Sequence, residues 1–261
     1  MEKTDANTHE KLNETILKKL ETNFTKIIVE RDSKILLISD QHFSNDGESY
    51  FSEQAIKLTI DNITPLYSKI NPDYIFILGD LFHGSQEHND YFYELFPKLD
   101  SLGCPVFILS GNHDRKYYDN IDFMAYKQVR FIDDYFITVS FLYNQFQENI
   151  VYLTHDGGNG LWLTLEQKKE FLHTLRKTYT IPESSWLIAG HTHYPFVDYE
   201  LKESSLGCFN FDSFKHHKTV LSFGLLSFPS EETEFRIFDL GPSEQLYTQD
   251  LIEKKINELV I

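Results

Sequence analysis

The run Tyr74-Ile75-Phe76-Ile77-Leu78-Gly79-Asp80 joins a short apolar segment to an abrupt polar end. Its apolar and aromatic residues predict a buried strand that stops at the Gly-Asp pair. A carboxylate at the end of a buried strand is held rigidly, and the glycine beside it lets another group or an ion approach the backbone closely. Asp80 is therefore the first candidate for the centre of a functional site.

Four other apolar runs end in the same way. They are followed by Asp40-Gln41-His42, by Gly111-Asn112-His113-Asp114, by His155-Asp156 and by Gly190-His191-Thr192-His193. In open α/β sheets, ligands collect beyond the carboxyl ends of the strands. Seven side chains are therefore expected to converge there, namely Asp40, His42, Asp80, Asn112, His155, His191 and His193.

Residues between these runs have helical periodicity. The segments 49–70 and 89–102 repeat apolar side chains every three to four positions, and Pro65 and Pro97 are expected to kink, divide or break them. Each segment lies between two strand-like runs, which predicts βαβ units and parallel pairing.

The predicted fold class is α/β, with two sheets and helices on their outer faces. The length of 261 residues, without a low-complexity linker, favours a single domain over residues 1–261. Within it we expect a helical and hairpin extension at 1–33, a core that carries the motifs at 34–195, and C-terminal strands and a helix at 196–261.

The composition restricts the partners and the compartment. A net charge of −16 argues against general capture of phosphate backbones, so nucleic acid is possible but not favoured. Cys104 and Cys208 are too few for a disulfide scaffold and are expected to be buried packing residues. No signal peptide or membrane-spanning run is present, so we expect a cytoplasmic protein without a membrane partner.

The chemistry of the seven converging groups indicates metal ions. Oxygen and nitrogen donors without a thiolate suit manganese, iron, zinc or magnesium, and seven donors exceed the need of one ion. With one carboxylate shared, they make two sites. Two ions about 3.5–4 Å apart clamp a phosphoryl group and activate water, which makes phosphoester hydrolysis the natural reaction.

Taken in order, the motifs Asp40-x-His42, Gly79-Asp80, Gly111-Asn112-His113-Asp114, His155 and Gly190-His191-x-His193 resemble the five blocks of the calcineurin-like metallophosphoesterase superfamily. The resemblance covers roughly residues 34–195, with no missing ligand. It implies a four-layer α-β-β-α fold of two mixed sheets packed face to face, and two divalent ions, manganese before iron, zinc or magnesium. All five blocks in order at strand ends are a specific signal, whereas a single D-x-H or G-D pair is not.

The resemblance also implies a role for each motif residue. One metal would be held by Asp40, His42 and His193, with Asp80 bridging to a second held by Asn112, His155 and His191. A bridging hydroxide would attack phosphorus in line. His113 would protonate or stabilise the leaving oxygen, with Asp114 orienting its imidazole.

The residue at position 113 separates subgroups of this superfamily. Archaeal phosphodiesterase-like members carry Cys there and lipid A precursor hydrolases carry Arg, so His113 indicates the broader phosphodiesterase, cyclic nucleotide and nuclease branches. The block Asp80-Leu81-Phe82-His83 resembles a bacterial ligase-associated DNA-repair phosphodiesterase group. Arg115 and His83 are candidate substrate contacts, each with an ordinary surface role as the alternative.

Two other functions stay open from the sequence. A metal-dependent nuclease on ends or single strands would require local positive charge from the metals, and the net charge weighs against it. A non-catalytic interaction scaffold of the same fold would not need a complete set of metal ligands. The substrate, the native metals and the oligomeric state are not determined by the sequence.

Overall fold

Twelve strands form two six-stranded mixed sheets within the part of the chain that the structure describes. The structure is a computed structural model, and it describes residues 24–43, 53–82, 91–114, 122–144, 147–156, 164–209, 220–229, 233–242 and 249–259. The strands are β1 Thr25–Val29, β2 Lys34–Ile38, β3 Tyr74–Ile77, β4 Val106–Leu109, β5 Val129–Ile132, β6 Phe136–Asn144, β7 Gln147–Thr154, β8 Trp186–Ala189, β9 Phe196–Asp198, β10 Glu203–Ser205, β11 Val220–Ser227 and β12 Glu234–Pro242. The helices are α1 Glu53–Ile70, α2 Tyr91–Ser101, α3 Leu165–Thr178 and α4 Gln249–Glu258, with a 3₁₀ turn at Phe123–Ala125.

The two sheets differ in the direction of their strands. Sheet I has the order β12-β11-β2-β3-β4-β5, in which β2 to β5 are parallel and β11 is antiparallel to both of its neighbours. Sheet II has the order β1-β6-β7-β8-β10-β9 and mixes parallel and antiparallel pairs. The βαβ units predicted around α1 and α2 give the parallel pairs β2·β3 and β3·β4, as expected.

Side-chain alternation along β3 shows how the layers are built. Ile75 and Ile77 pack outward in a cluster that also contains residues of α1, α2 and α4. Phe76 and Leu78 point to the other face, into a cluster shared with strands of sheet II. Helix α3 covers the outer face of sheet II. The predicted fold class is therefore confirmed, with two mixed sheets face to face and helices outside.

The two prolines do not interrupt their helices. Pro65 lies inside α1 and Pro97 inside α2, and both helices continue past them. The expectation that they divide or break the helices was wrong. An internal proline removes one hydrogen bond, but the apolar faces of both helices are buried against sheet I, and this tertiary packing outweighs the local cost.

Both ends of the described chain contribute to the sheets. β1 pairs in parallel with β6 in sheet II, while β2 lies in sheet I, so the hairpin expected in residues 1–33 does not form between these two strands. A hairpin requires neighbouring antiparallel strands, and β1 finds its partner more than 100 residues away. The helix expected before β1 falls on residues 1–23, outside the described residues.

The carboxyl ends of β2, β3 and β4 in sheet I meet those of β7 and β8 in sheet II. The carbonyl oxygen of Leu78, just beyond β3, contacts Ser39 Oγ at 3.1 Å and His155 Nδ1 at 2.7 Å. This junction brings the five motif-bearing loops to one place. None of the described helices is long and apolar enough to cross a membrane.

Candidate metal centre

Asp40 is completely buried directly after β2. Its Oδ2 accepts hydrogen bonds from Ser39 Oγ at 2.6 Å and from the backbone N–H of His191 at 2.9 Å. Its Oδ1 has no hydrogen-bond donor among the described residues, although it lies 3.3 Å from Nε2 of His193. Burying a carboxylate oxygen that has no hydrogen-bond donor costs free energy unless a cation neutralises its charge.

Asp80 is held in a similar way after β3. Its Oδ1 accepts the backbone N–H of His113 at 2.9 Å. Its Oδ2 lies 3.3 Å from Nε2 of His155 and 3.6 Å from Nε2 of His42. One oxygen of each aspartate is thus fixed by a backbone amide, and the other faces imidazole nitrogens.

The imidazoles converge in two groups around the aspartates. Nε2 of His42 and Nε2 of His193 are 2.9 Å apart beside Asp40. On the other side of Asp80, Nε2 of His155 is 3.0 Å from Oδ1 of Asn112 and 3.2 Å from Nδ1 of His191. The structure therefore brings together all seven residues that the sequence placed at strand ends.

Possible ligand atoms are close enough to share ions. Within each of the sets Asp40/His42/His193 and Asp80/His155/His191, the atoms lie within 4.8 Å of one another. This arrangement, together with the donorless Oδ1 of Asp40, fits divalent cations, and the oxygen and nitrogen donors suit those named above. The assignment of individual ligands stays a prediction.

Backbone strain is concentrated at this site. Five of the nine described non-glycine residues with positive φ are predicted ligands, namely Asp40, His42, Asp80, His191 and His193. Such conformations are uncommon and cost about 1–3 kcal/mol each. They persist here because the loops are bonded to one another, as in the bond from Asp40 N–H to the Gly79 carbonyl at 3.1 Å. The fold thus holds these side chains in place at the expense of local stability.

Three motif glycines allow the close approach of the loops. A Cβ atom on Gly111 would lie 2.2 Å from Oδ1 of Asp80, and one on Gly190 would lie 2.1 Å from Oγ of Ser39. A Cβ atom on Gly79 would lie 2.5 Å from Nδ1 of His155. Larger residues at these positions would displace the side chains that form the site.

Burial and charge shift the titration of the site. Burial favours the neutral acid, but the neighbouring imidazoles, that of His155 first, hold the pKa of Asp80 well below its ordinary value. Burial opposes a charged ring, yet the carboxylates of Asp80 and Asp40 raise the pKa of His155 to about 10. Burial and the nearby His155 lower the pKa of His191. A cation bound here would take the place of the proton on His155, since a histidine ligand is deprotonated at the ligating nitrogen.

The hydrogen bond between His155 Nδ1 and the Leu78 carbonyl sets the orientation of that ring. With Nδ1–H donating to the carbonyl, Nε2 is directed toward Asp80 and Asn112. In metal-binding histidines, a hydrogen bond from the ring nitrogen that does not bind the metal usually fixes the tautomer.

His113 and Asp114 follow Asn112 but occupy different environments. A ring nitrogen of the half-buried His113 lies within 4.8 Å of ligand atoms of His42 and Asp80. The carboxylate of Asp114 is completely buried and accepts the backbone N–H groups of Gly111, Leu81 and Phe82 at 2.9, 3.2 and 2.9 Å.

The role expected for Asp114, orientation of the His113 imidazole, does not agree with these contacts. Within the described residues, its hydrogen bonds go to backbone amides that join the β3 and β4 loops. Three amide donors satisfy the carboxylate without the ring. Burial and the charge of Asp80 raise the pKa of Asp114 to about 7.

Other predicted residues lie outside the described part of the chain. Arg115 and His83 are among them, so their role as substrate contacts stays a prediction. The cysteines are both free and buried, as expected. Cys208 makes a contact that the sequence did not indicate, since its Sγ–H donates to the backbone carbonyl of Asp40 at 2.8 Å.

Sequence reasoning also missed two residues that support the β8 loop. Lys168 on α3 is buried, and its Nζ donates to the carbonyl of Thr192 at 3.1 Å. The hydroxyl of Thr192 bonds to Ser205 Oγ at 2.5 Å. Thr192 lies within a recognised motif and could have been noticed, but a lysine on an amphipathic helix gives no signal.

Comparison with known proteins gives one informative match. The family model for calcineurin-like phosphoesterases matches residues 33–195, which is more than half of the chain. No curated protein matches the sequence.

Several solved structures resemble this one distantly. Vps29 from Entamoeba histolytica, complexed with Zn²⁺, has 14% identity and a TM-score of 0.44, over 79% of this chain and 98% of that chain. The nuclease MPE from Pseudomonas putida has 16% identity and a TM-score of 0.40, over 75% of this chain and 84% of that chain. An archaeal phosphodiesterase has 14% identity and a TM-score of 0.42, over 78% of this chain and 99% of that chain. At this level of similarity, nothing about the activity of the chain follows from them.

Proposed function

The chain belongs to the calcineurin-like phosphoesterase family, and from that premise we propose that it is a dinuclear metal-dependent phosphoesterase that hydrolyses phosphodiesters. The observation that supports this most strongly is the buried Oδ1 of Asp40, which has no hydrogen-bond donor among the described residues and lies beside two imidazoles. A bound cation would neutralise the charge on such an oxygen.

Two sets of side chains would hold the cations. Asp40, His42 and His193 form one set, and Asn112, His155 and His191 form the other. Asp80 would be shared, because its Oδ2 is near both His42 and His155. When bound, two divalent cations neutralise charge on the phosphoryl oxygens and lower the pKa of water.

We assign the proton donor to His113. It directly follows Asn112, its backbone N–H is bonded to Asp80, and its ring is edge-on to that of His42, with centroids 5.2 Å apart. It is only partly buried, unlike His42 and His193, so part of the residue is open to solvent. An imidazole N–H in that position can protonate the leaving ester oxygen.

We assign a positioning role to Asp114. By accepting three backbone N–H groups, it ties the turn before Asn112 to the residues after Asp80. This would keep the side-chain oxygens of Asn112 and Asp80 at a fixed position relative to each other. It acts on the metal ligands through the backbone and does not touch the substrate.

The charge of the protein favours diesters over more highly charged substrates. At neutral pH a phosphodiester carries one negative charge and a phosphomonoester nearly two. A protein with a net charge of −16 repels the second more strongly, and a polyanionic nucleic acid more strongly still. A small diester is therefore the substrate class that we propose.

The test is hydrolysis of bis(p-nitrophenyl) phosphate by the purified protein with Mn²⁺. Asp80→Asn should abolish measurable turnover, and His113→Ala should lower kcat by about 10²–10⁴-fold while the bound metal is retained. Asp61→Asn, on the outer helix α1 and paired with Lys98, is the matched control and should behave as wild type. Equal rates for all four proteins would contradict the proposal, and metal binding without turnover would favour a scaffold.

A further inference from the structure

Tyr194 is an exposed aromatic residue beside a buried metal-ligand candidate. Its neighbour His193 is 4% exposed, whereas Tyr194 is 46% exposed. Of the exposed large hydrophobic side chains among the described residues, Tyr194 is the one that directly follows a predicted ligand. Consecutive Cα atoms are about 3.8 Å apart, so the backbone of Tyr194 lies directly beside that of a predicted metal ligand.

The backbone around Tyr194 is held firmly. Its N–H donates to the hydroxyl oxygen of Thr192 at 3.4 Å, and that hydroxyl is 3.0 Å from the carbonyl of Tyr194. The same hydroxyl contacts Ser205 Oγ on β10 at 2.5 Å. Tyr194 is therefore attached to sheet II and does not sit on a loosely held loop.

Lys168 fixes the ring from one side. Its ammonium lies 5.5 Å from the centroid of the Tyr194 ring, and it donates to the carbonyl of Thr192 at 3.1 Å. Lys168 is 5% exposed, so water has little access to its charge, and this burial lowers the pKa of its ammonium group. A cation–π contact is stronger when the cation is desolvated, so the ring is held while much of its surface stays open to solvent.

A rigid, exposed ring at the edge of a reaction centre is suited to stacking. Aromatic rings bind planar groups at low cost in conformational entropy, and they accept different bases because every base has a π-face. A purely structural role, shielding Lys168 from water, predicts an effect on stability but none on ligand selection. The two roles can therefore be separated by experiment.

Resting on the phosphoesterase function proposed above, we infer that the Tyr194 ring stacks on a planar aromatic group of the substrate. The favoured substrates are then phosphodiesters of nucleosides or of aryl alcohols, with the phosphoryl group at the metal centre and the aromatic group on Tyr194. This assigns to Tyr194 the selection of the substrate and leaves the chemistry to the metal ligands and His113.

The test is equilibrium binding, measured by titration calorimetry on the Mn²⁺-loaded protein. The probes are adenosine monophosphate, phenyl phosphate and ribose 5-phosphate, the last of which lacks an aromatic group. They are the phosphomonoester products that hydrolysis of the corresponding diesters would release, so a diesterase binds them without consuming them during the titration. Wild type should bind adenosine monophosphate about 5- to 150-fold more tightly than ribose 5-phosphate, the range expected for one stacked base. Tyr194→Leu should remove this preference, and Tyr194→Phe should keep it.

The control variant is Tyr199→Leu. Tyr199 is a more exposed tyrosine that contacts Trp186, with ring centroids 5.8 Å apart. Its replacement should leave the dissociation constants of adenosine monophosphate and ribose 5-phosphate unchanged. A preference for phenyl phosphate but not for the nucleotide would restrict the class to aryl esters. No aromatic preference in wild type, no binding of any probe, or a preference that survives in Tyr194→Leu would each overturn the inference. Absence of turnover with normal aromatic selection would count against the proposed function alone.

Discussion

The imidazole of His155 packs directly on the backbone of Gly79, where a Cβ atom would lie 2.5 Å from Nδ1. The same Nδ1 donates to the carbonyl of Leu78, one residue earlier, at 2.7 Å. Residues 78 and 79, just beyond β3 of sheet I, thus determine where the His155 ring, which follows β7 of sheet II, lies. Because Gly79 has no side chain, it leaves the space that the His155 ring occupies.

A pair of glycine variants can separate this contact from backbone strain. Gly79 has φ +83° and Gly103 has φ +81°, but nothing lies within 4 Å of a Cβ atom on Gly103. We expect Gly103→Ala to cost about 1–2 kcal/mol of unfolding free energy, the penalty for a left-handed residue, with metal binding unchanged. Gly79→Ala should cost about 1–3 kcal/mol more because the methyl group overpacks the site.

Urea denaturation and Mn²⁺ titration of both variants provide the measurement. Gly79→Ala should also bind metal more weakly, since its methyl group displaces His155. If the two variants lose the same stability and keep the same metal affinity, the contact between Gly79 and His155 does not matter.

Metal stoichiometry tests the assignment of ligands. His193 contacts Asp40 and His42, whereas His191 contacts His155, so each histidine belongs to a different set. We expect the purified wild-type protein to hold two equivalents of metal after reconstitution with Mn²⁺ and removal of free metal. His193→Ala and His191→Ala should each retain about one, because the set that is left intact keeps its ligands.

Elemental analysis by mass spectrometry measures these equivalents. His173→Ala is the control, because His173 is on α3, is half exposed and lies near Glu203, away from both sets. Two equivalents in every variant would exclude the assignment of His191 and His193 as ligands.

The convergence of the seven side chains could be predicted because each motif is encoded locally. An apolar run followed by Gly-Asp or Gly-Asn-His is visible without knowledge of the fold, and parallel pairing then places the ends of β2, β3 and β4 together. Family resemblance supplied the grouping of ligands. Positive φ at Asp40 or His193 gave no sequence signal, since neither residue type is restricted to that conformation.

The features that the sequence did not predict depend on distant partners. β10 is the polar segment Glu203-Ser204-Ser205, yet all three residues are completely buried. Oε1 of Glu203 accepts a hydrogen bond from Arg176, Ser204 donates to the Phe196 carbonyl, and the hydroxyl of Ser205 bonds to that of Thr192. Hydrophobic periodicity cannot reveal a strand whose burial is stabilised by hydrogen bonds. For the same reason it did not reveal Lys168 or the backbone contacts of Asp114.

Arg176 should be one of the most important residues for stability. Its guanidinium is buried and donates to Glu203 Oε1 at 2.8 Å and to four backbone carbonyls, those of Pro182, Ser185, Leu201 and Lys202. Arg176→Met would leave the buried Glu203 without its partner, and we expect a loss of about 3–5 kcal/mol. Arg176→Lys should recover little of this, since an ammonium cannot reproduce the planar fork of five donors.

Chemical denaturation measures these losses, and Lys254→Met is the surface control. Lys254 is 3.8 Å from Glu258 on α4 with 71% of its side chain exposed, so its replacement should change stability by less than about 0.5 kcal/mol. Adding Glu203→Leu to Arg176→Met should restore part of the stability by removing the unpaired charge. A loss below about 1 kcal/mol for Arg176→Met would contradict this account.

The thiol of Cys104 should make stability decrease at high pH. Burial raises the pKa of Cys104 from its ordinary value of 9.0 to about 11. The folded thiol therefore keeps its proton between these values, while the unfolded thiol loses it. A group whose pKa is raised by folding stabilises the protein fully below the unfolded pKa, and that contribution is lost as pH rises through the folded pKa.

The measurement is urea denaturation of wild type and Cys104→Ala at pH 8 and at pH 10.5. Wild type should lose more unfolding free energy between the two pH values, with a slope from this thiol of at most about 1.4 kcal/mol per pH unit. Tyr67, whose pKa is raised by burial and by Cys104, titrates in both proteins, so the comparison isolates the thiol only when the slopes are subtracted. Because both cysteines are buried, the folded protein should also show no reaction with a thiol reagent at pH 8 and two equivalents after denaturation. Identical slopes in the two proteins, or rapid labelling of the folded chain, would mean that Cys104 is accessible to solvent and not buried as described.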